Sequence, residues 1–181
     1  MPSPVGHTLA SLLVRACGEP KGWPRRTPAP LDWWQTPLAA AIFGSLPDID
    51  LAFSWLLVGN PAALHQHFTH NLAFALVAGL AVSFFVTPRD RLRAGLWAFA
   101  LVSLHIVLDA GVGPVIGEPG TLGVRALWPL SEHRFGFPVA FIPTLEFGHP
   151  SQILSLHNAS SLLHEMVLFG VPLGLTLWLR R

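Results

Sequence analysis

Three short stretches of this chain gather residues that bind metal ions or move protons. In L-V-S-L-H-I-V-L-D-A, His105 and Asp109 are four residues apart. On a helix that spacing puts both side chains on one face, one turn apart. Their neighbours are apolar, and a charged carboxylate in such surroundings is costly unless it is paired or binds a cation. A hydrogen-bonded His–Asp pair that only staples two helices is the simpler alternative. Asp48 and Asp50 flank Ile49 directly after Pro47. Two carboxylates so close repel each other, and a cation relieves both. Helix capping accounts for one of them and poorly for two. His65, His67 and His70 stand together in A-A-L-H-Q-H-F-T-H-N. Clustered imidazoles suit a divalent transition metal such as zinc or manganese, although a single His is more often an ordinary polar residue.

Mixed His and Asp donors favour a hydrolytic centre over a structural one. Structural zinc sites usually close with Cys thiolates, and Cys17 is the only cysteine here. Such donors suffice for one or two divalent ions, which lower the pKa of water to about 7 and orient it towards a phosphoryl or acyl centre. Glu165 is a candidate general base or outer partner, with a first-turn helix charge as the alternative. Arg134 is a candidate anchor for a phosphate or carboxylate, with a solvated loop charge as the alternative. His133, His149 and His157 read as loop residues. The chain contains no G-x-S-x-G nucleophile motif, no Gly-rich phosphate loop and no H-E-x-x-H.

The elements that must position these residues are membrane helices. Half of the chain, 51%, is apolar and only 12% is charged, against roughly 25% charged in ordinary soluble domains. One domain spanning residues 1–181 cannot hide that much apolar surface in its own core, but lipid covers the outside as well. Four apolar segments stand out: Pro37 to Val58, interrupted by Pro47, Asp48 and Asp50; Leu72 to Val86; Ala94 to Ala110; and Leu162 to Leu179. A spanning helix needs about 20 residues. Val5 to Cys17 is a weaker fifth candidate, crossing as a short helix or lying in the interface. The predicted fold is therefore an all-α membrane bundle of four or five helices. A Pro-rich loop from Gly18 to Leu31 and a long irregular stretch from Gly111 to Ser161 join them, and loops of that length are usually functional. The net charge of +1, with no basic patch among aromatics, predicts no nucleic-acid partner.

Positive charge suggests the topology. Arg15, Lys21, Arg25 and Arg26 lie in or beside the first loop, Arg89, Arg91 and Arg93 fill a short connector, and Arg180 and Arg181 come last. Excess Lys and Arg mark the cytoplasmic side, so the long loop faces outward. His65, His70, His105, Asp109, His164 and Glu165 then fall at the outer ends of their segments. If the first weak segment crosses, His7, Asp48 and Asp50 join them. If Pro37 to Val58 is one unbroken span, the aspartates sit at mid-membrane and His7 is stranded inside.

The ordered set of motifs resembles the membrane-bound metal-dependent hydrolase family, also described as LexA-binding, inner-membrane-associated hydrolases. M-P-S-P-V-G-H resembles the family's opening, with His7 at its His. L-P-D-I-D, residues 46 to 50, matches its Leu-Pro-Asp-x-Asp motif. H-Q-H-F-T-H-N, residues 65 to 71, resembles His-Arg-Gly-Phe-Thr-His-Ser. L-H-I-V-L-D, residues 104 to 109, resembles Ser-His-x-x-x-Asp. W-P-L-S-E-H-R-F, residues 128 to 135, resembles Trp-Pro-x-Ser-Asp-x-Arg-Phe, and Glu165 falls where the family carries a Glu. Gln66 stands for Arg and Asn71 for Ser. The resemblance implies His7, Asp48, Asp50, His65, His70, His105 and Asp109 as metal ligands. It implies a metal-dependent hydrolase of the bacterial or archaeal inner membrane, and a protein partner. A looser similarity to zinc-dependent phospholipase C points to a phosphodiester or phospholipid.

The expected partners are thus membrane lipid and a small-molecule or lipid substrate. Two other readings stay open. One is a non-catalytic metal-binding regulator or transporter, the latter needing polar residues along a path through the membrane. The other is a structural membrane protein, in which the His and Asp residues lie scattered.

Overall fold

A computed structural model describes residues 2–18, 30–61, 63–66, 68–112, 123–146 and 152–180. His67 and His149, most of the Pro-rich first loop and part of the long irregular stretch lie outside these residues. The described regular structure is helical, apart from a single antiparallel bridge between Val124 and Phe135. Seven α-helical segments form five units. These are α1 (Pro4–Gly18), α2 (Pro37–Ser45) with α3 (Ile49–Val58), α4 (Leu72–Phe84), α5 (Arg91–Ala110), and α6 (Leu156–Glu165) with α7 (Val171–Leu179).

Local chemistry sets these boundaries. Thr36 caps α2 by accepting the Ala39 N–H, and Pro37 follows in the first turn, where no N–H is needed. Pro47 lacks an N–H and its ring crowds the preceding turn. The chain therefore passes through a 3-10 turn, Leu46–Asp48, before α3 resumes. Gly59 ends α3 at φ 73°, a left-handed conformation suited to glycine. Asn71 caps α4 and Ser155 caps α6, each through its side-chain oxygen. A π turn, Met166–Gly170, joins α6 to α7 just before Pro172.

Among the described residues, three stretches are long and apolar enough to cross a membrane: Pro37–Val58, Arg91–Ala110 and Leu156–Leu179, with Leu72–Phe84 shorter. The weak N-terminal segment is a full helix of 15 residues. The last unit begins at Leu156 rather than Leu162, because Ser155 supplies a cap, so the irregular stretch is shorter than expected. Outward-facing residues such as Phe84, Leu92, Leu177 and Trp178 are apolar and exposed, which suits lipid rather than water.

Small residues let the helices approach. Between α4 and α5, a Cβ on Gly79 would lie 2.7 Å from the Gly95 carbonyl, and Ala75, Ala94 and Ala98 are fully buried. Between α1 and α2, a Cβ on Gly44 would collide with the Ser11 side chain. Ends of several helices are tied together on one side of the bundle. Arg15 Nε donates to the Gln35 carbonyl at 2.8 Å, Arg180 to the Cys17 carbonyl at 3.0 Å and Trp33 to the Phe85 carbonyl at 3.4 Å. His7 near the start of α1, the 3-10 turn, the segment before α4 and the end of α5 meet on the opposite side.

Gly79→Val should clash with α5 and lower stability by about 1–3 kcal/mol. The check is thermal unfolding in detergent micelles. Gly174→Ala, whose added Cβ meets nothing within 4 Å, should leave the midpoint nearly unchanged.

Candidate metal centre

His105 and Asp109 lie one turn apart on α5, both buried. The His105 Nδ1–H donates to the Gly44 carbonyl at 2.7 Å. This bond leaves the Nε2 lone pair facing inward. The close packing of α2 on α1, which Gly44 permits, thus also sets the orientation of a ring on α5. His7, from the first turns of α1, stacks on His105 with ring centroids 3.5 Å apart. Its Nε2 is 3.4 Å from Asp109 Oδ1.

The 3-10 turn introduces Asp48 from the other side. Asp48 Oδ1 is 3.6 Å from His70 Nε2 and 3.5 Å from His105 Nε2. Asp109 Oδ2 is 3.2 Å from His70 Nε2 and 3.6 Å from His105 Nε2. The two Nε2 atoms of His70 and His105 are themselves 3.1 Å apart. Two triads adjoin here: His7, His105 and Asp109, and Asp48, His65 and His70. Within each, one ligand atom per residue lies within 4.8 Å of the others.

Asp50 stands behind these residues. Its Oδ1 is 2.8 Å from His65 Nδ1, and its Oδ2 accepts from the Thr69 hydroxyl at 2.8 Å and the Gln66 N–H at 3.0 Å. His70 Nδ1 is 3.2 Å from Asp50 Oδ2 and 3.0 Å from Thr69 Oγ1. Asn71 donates to the Phe68 carbonyl while accepting from Phe74 N, so this departure from Ser still caps α4.

Polar atoms are left over. Both carboxylate oxygens of Asp48, both of Asp109 and both ring nitrogens of His7 are buried without a hydrogen-bond partner. Such groups are costly unless something charged satisfies them. Burial works against a charge on His70, but its contacts with Asp109, Asp48 and Asp50 outweigh it and hold the imidazole protonated well above its ordinary range. A divalent cation would satisfy the same acceptors, and the donor set of imidazole nitrogens and carboxylate oxygens fits zinc or manganese. The site's residues therefore fit a metal ion.

The family described as YdjM inner membrane protein matches the chain over residues 1–181. The chain belongs to the YdjM inner membrane protein family. No curated protein and no solved structure gives a significant match. The family assignment and the apolar helices together establish a membrane protein. The family's description names the inner membrane and mentions neither hydrolysis nor LexA.

In this YdjM-family chain the seven residues His7, Asp48, Asp50, His65, His70, His105 and Asp109 come together around the two triads. The scattered arrangement expected of a purely structural protein is not observed. His7 reaches the cluster because α1 is a complete helix and Pro47 breaks the run to Val58. Arg134 is not part of the cluster; it donates to the Gly123 carbonyl at 3.3 Å, in the loop over the end of α5. Of the histidines read as loop residues, His133 does lie in a loop and packs on Phe135, but His157 is in the first turn of α6, because the Ser155 cap starts that helix before it; its Nε2 is 2.8 Å from the Thr144 carbonyl.

Glu165 sits elsewhere than its sequence position suggests. It does not open a helix but lies at the end of α6, fully buried. The Ser3 N–H donates to its Oε1 at 2.7 Å, and the Ser3 hydroxyl donates to its Oε2. Ser3 in turn accepts from the Gly6 N–H at 2.9 Å, and a Cβ on Gly6 would lie 2.7 Å from the Glu165 carboxyl carbon. The carboxylate therefore clamps the helix start that carries His7, where the α1 dipole also favours it. Thr69, Gly44 and Ser3 were missed from the sequence. Only Thr69 had a signal, its place beside His70.

Removing the clamp with Glu165→Ala leaves the Ser3 groups unpaired. Stability should fall by about 1–3 kcal/mol. Thermal unfolding of metal-free protein in micelles measures this loss.

Proposed function

We propose that this YdjM-family chain is a metal-dependent hydrolase of the inner membrane, acting on a lipid or a membrane-proximal phosphoester. One observation carries the reading. The carboxylates of Asp48 and Asp109 are buried beside the rings of His7, His70 and His105, yet none of their oxygens has a hydrogen-bond partner. One or two divalent ions, zinc or manganese, would be held by His7, His105 and Asp109 and by Asp48, His65 and His70. When bound, such an ion supplies Lewis acidity and makes hydroxide available near neutral pH.

The chain's own residues do the rest. The Gly44 carbonyl fixes the His105 ring and the Asp109 carboxylate faces three imidazoles, so the donors are oriented before an ion arrives. Arg134, in the loop over the end of α5, would take a substrate phosphate or carboxylate. Arg15 and Arg180 lie at the bundle end opposite the cluster, which supports a cytoplasmic position for that end and an outward-facing site. Grouping of the polar residues at one end argues against a transport path. A second reading, a non-catalytic metal-binding regulator, is favoured by one observation: both Glu165 oxygens are engaged by Ser3 rather than offered to a water.

Purified protein should hold stoichiometric zinc or manganese by elemental analysis. It should hydrolyse a phosphodiester or phospholipid in mixed micelles. Asp109→Asn should reduce turnover at least about 100-fold while the protein remains folded. Absence of bound metal, with no activity on adding it, would overturn the proposal. Bound metal without hydrolysis across phosphodiester, phospholipid and ester substrates would select the regulator.

A further inference from the structure

The two aspartates of L-P-D-I-D do different things in this structure. Asp48 comes from the 3-10 turn and Asp50 from the first turn of α3. Two residues of helical advance rotate a side chain by roughly 200°, so the pair cannot point the same way. The Asp48 oxygens have no hydrogen-bond partner. The Asp50 oxygens are crowded by donors. Oδ1 is 2.8 Å from His65 Nδ1, and Oδ2 receives the Gln66 N–H at 3.0 Å and the Thr69 hydroxyl at 2.8 Å. Oδ2 also lies 3.2 Å from His70 Nδ1.

We infer that Asp50 is a positioning residue and not a metal ligand: it holds the proton on Nδ1 of His65 and His70, so that both rings present Nε2 to the centre. This inference rests on the metal-site reading above. Carboxylates that orient ligating histidines from behind select the ring tautomer and raise ligand basicity. Thr69 extends the device. Its hydroxyl hydrogen goes to Asp50, which leaves its oxygen to accept from His70 Nδ1 at 3.0 Å. Backbone strain at Gln66 supports the same role. Gln66 has φ 62°, a left-handed conformation that costs a residue with a side chain about 1–3 kcal/mol. That conformation delivers its N–H to Asp50. Gln66 thus takes part through its backbone, whatever side chain stands there.

The test uses the whole chain of residues 1–181 in micelles. Nitrogen-15 spectra of the histidine rings should show a proton on Nδ1 of His65 and His70 in wild type, with or without Zn²⁺. A bare Nδ1 on either ring overturns the inference, and this readout does not depend on metal binding or on any variant folding. With Zn²⁺ or Co²⁺, Asp50→Asn should keep the wild-type metal-to-protein ratio but weaken affinity about 10–100-fold and shift the visible Co²⁺ bands. Asp48→Asn should instead reduce the ratio. If Asp50→Asn also reduces the ratio, or changes neither affinity nor spectrum, Asp50 does not act as inferred. A wild type that binds no metal while both Nδ1 atoms are protonated would sink the hydrolase reading and leave the orienting role of Asp50 standing.

Discussion

Two carboxylates, Asp48 and Asp109, are carried into an apolar helix bundle without a hydrogen bond to any of their oxygens. Stripping water from a charge costs several kcal/mol even after relaxation. Apolar neighbours cannot repay that cost; the surrounding imidazoles offset part of it, and a bound cation would offset more. The remaining features of the site follow from this constraint. Rings must converge on the carboxylates, and each must turn the correct nitrogen inward. His105 is turned by the Gly44 carbonyl, and His65 and His70 by Asp50 and Thr69. His7 is held by stacking on His105 rather than by a hydrogen bond of its own.

Helix packing meets the same requirement at longer range. Close contacts at Gly44 and Gly79 bring backbones together, so that segments distant in sequence deliver side chains to one place. Glu165 and Ser3 then fix the start of α1 against the end of α6. Residues 123–146, in the irregular segment after α5, are likewise tied to that helix. The Phe137 N–H bonds the Ala110 carbonyl at 3.0 Å and the Phe141 N–H bonds the Gly111 carbonyl at 3.1 Å, just beyond Asp109. Phe68 meets Trp128 edge-on at 5.5 Å, joining this segment to the one that bears the histidines. Residues 123–146 of this loop therefore form a wall beside the end of α5.

Membrane residence and the polar cluster are compatible because they occupy different parts of the bundle. Apolar side chains cover the outer faces of the helices, where burial in lipid needs no partner. The buried His and Asp side chains gather at the end where α1 and α4 begin and α5 finishes. There the backbone leaves its helices and supplies its own donors and acceptors, as at Gln66 and Gly44. Concentrating the charge in this way avoids placing a carboxylate against lipid, where it would find no partner.

Composition and segment length determined the all-α membrane class, since apolar runs of that size have few other homes. Spacing determined that His105 and Asp109 share a face, because a helix sets the angle between residues four apart. It also brought Asp48, Asp50, His65 and His70 under suspicion, as polar residues where apolar ones were expected. The tertiary structure alone decided which donors each would meet. Asp48 and Asp50 are near neighbours in sequence, yet one is without hydrogen bonds and the other is saturated, because the 3-10 turn at Pro47 and the first turn of α3 point them apart. Glu165 looked available for chemistry, but Ser3, 162 residues away, takes both its oxygens. Periodicity fixes directions within one element; which atoms fill those directions depends on the other elements packed against it.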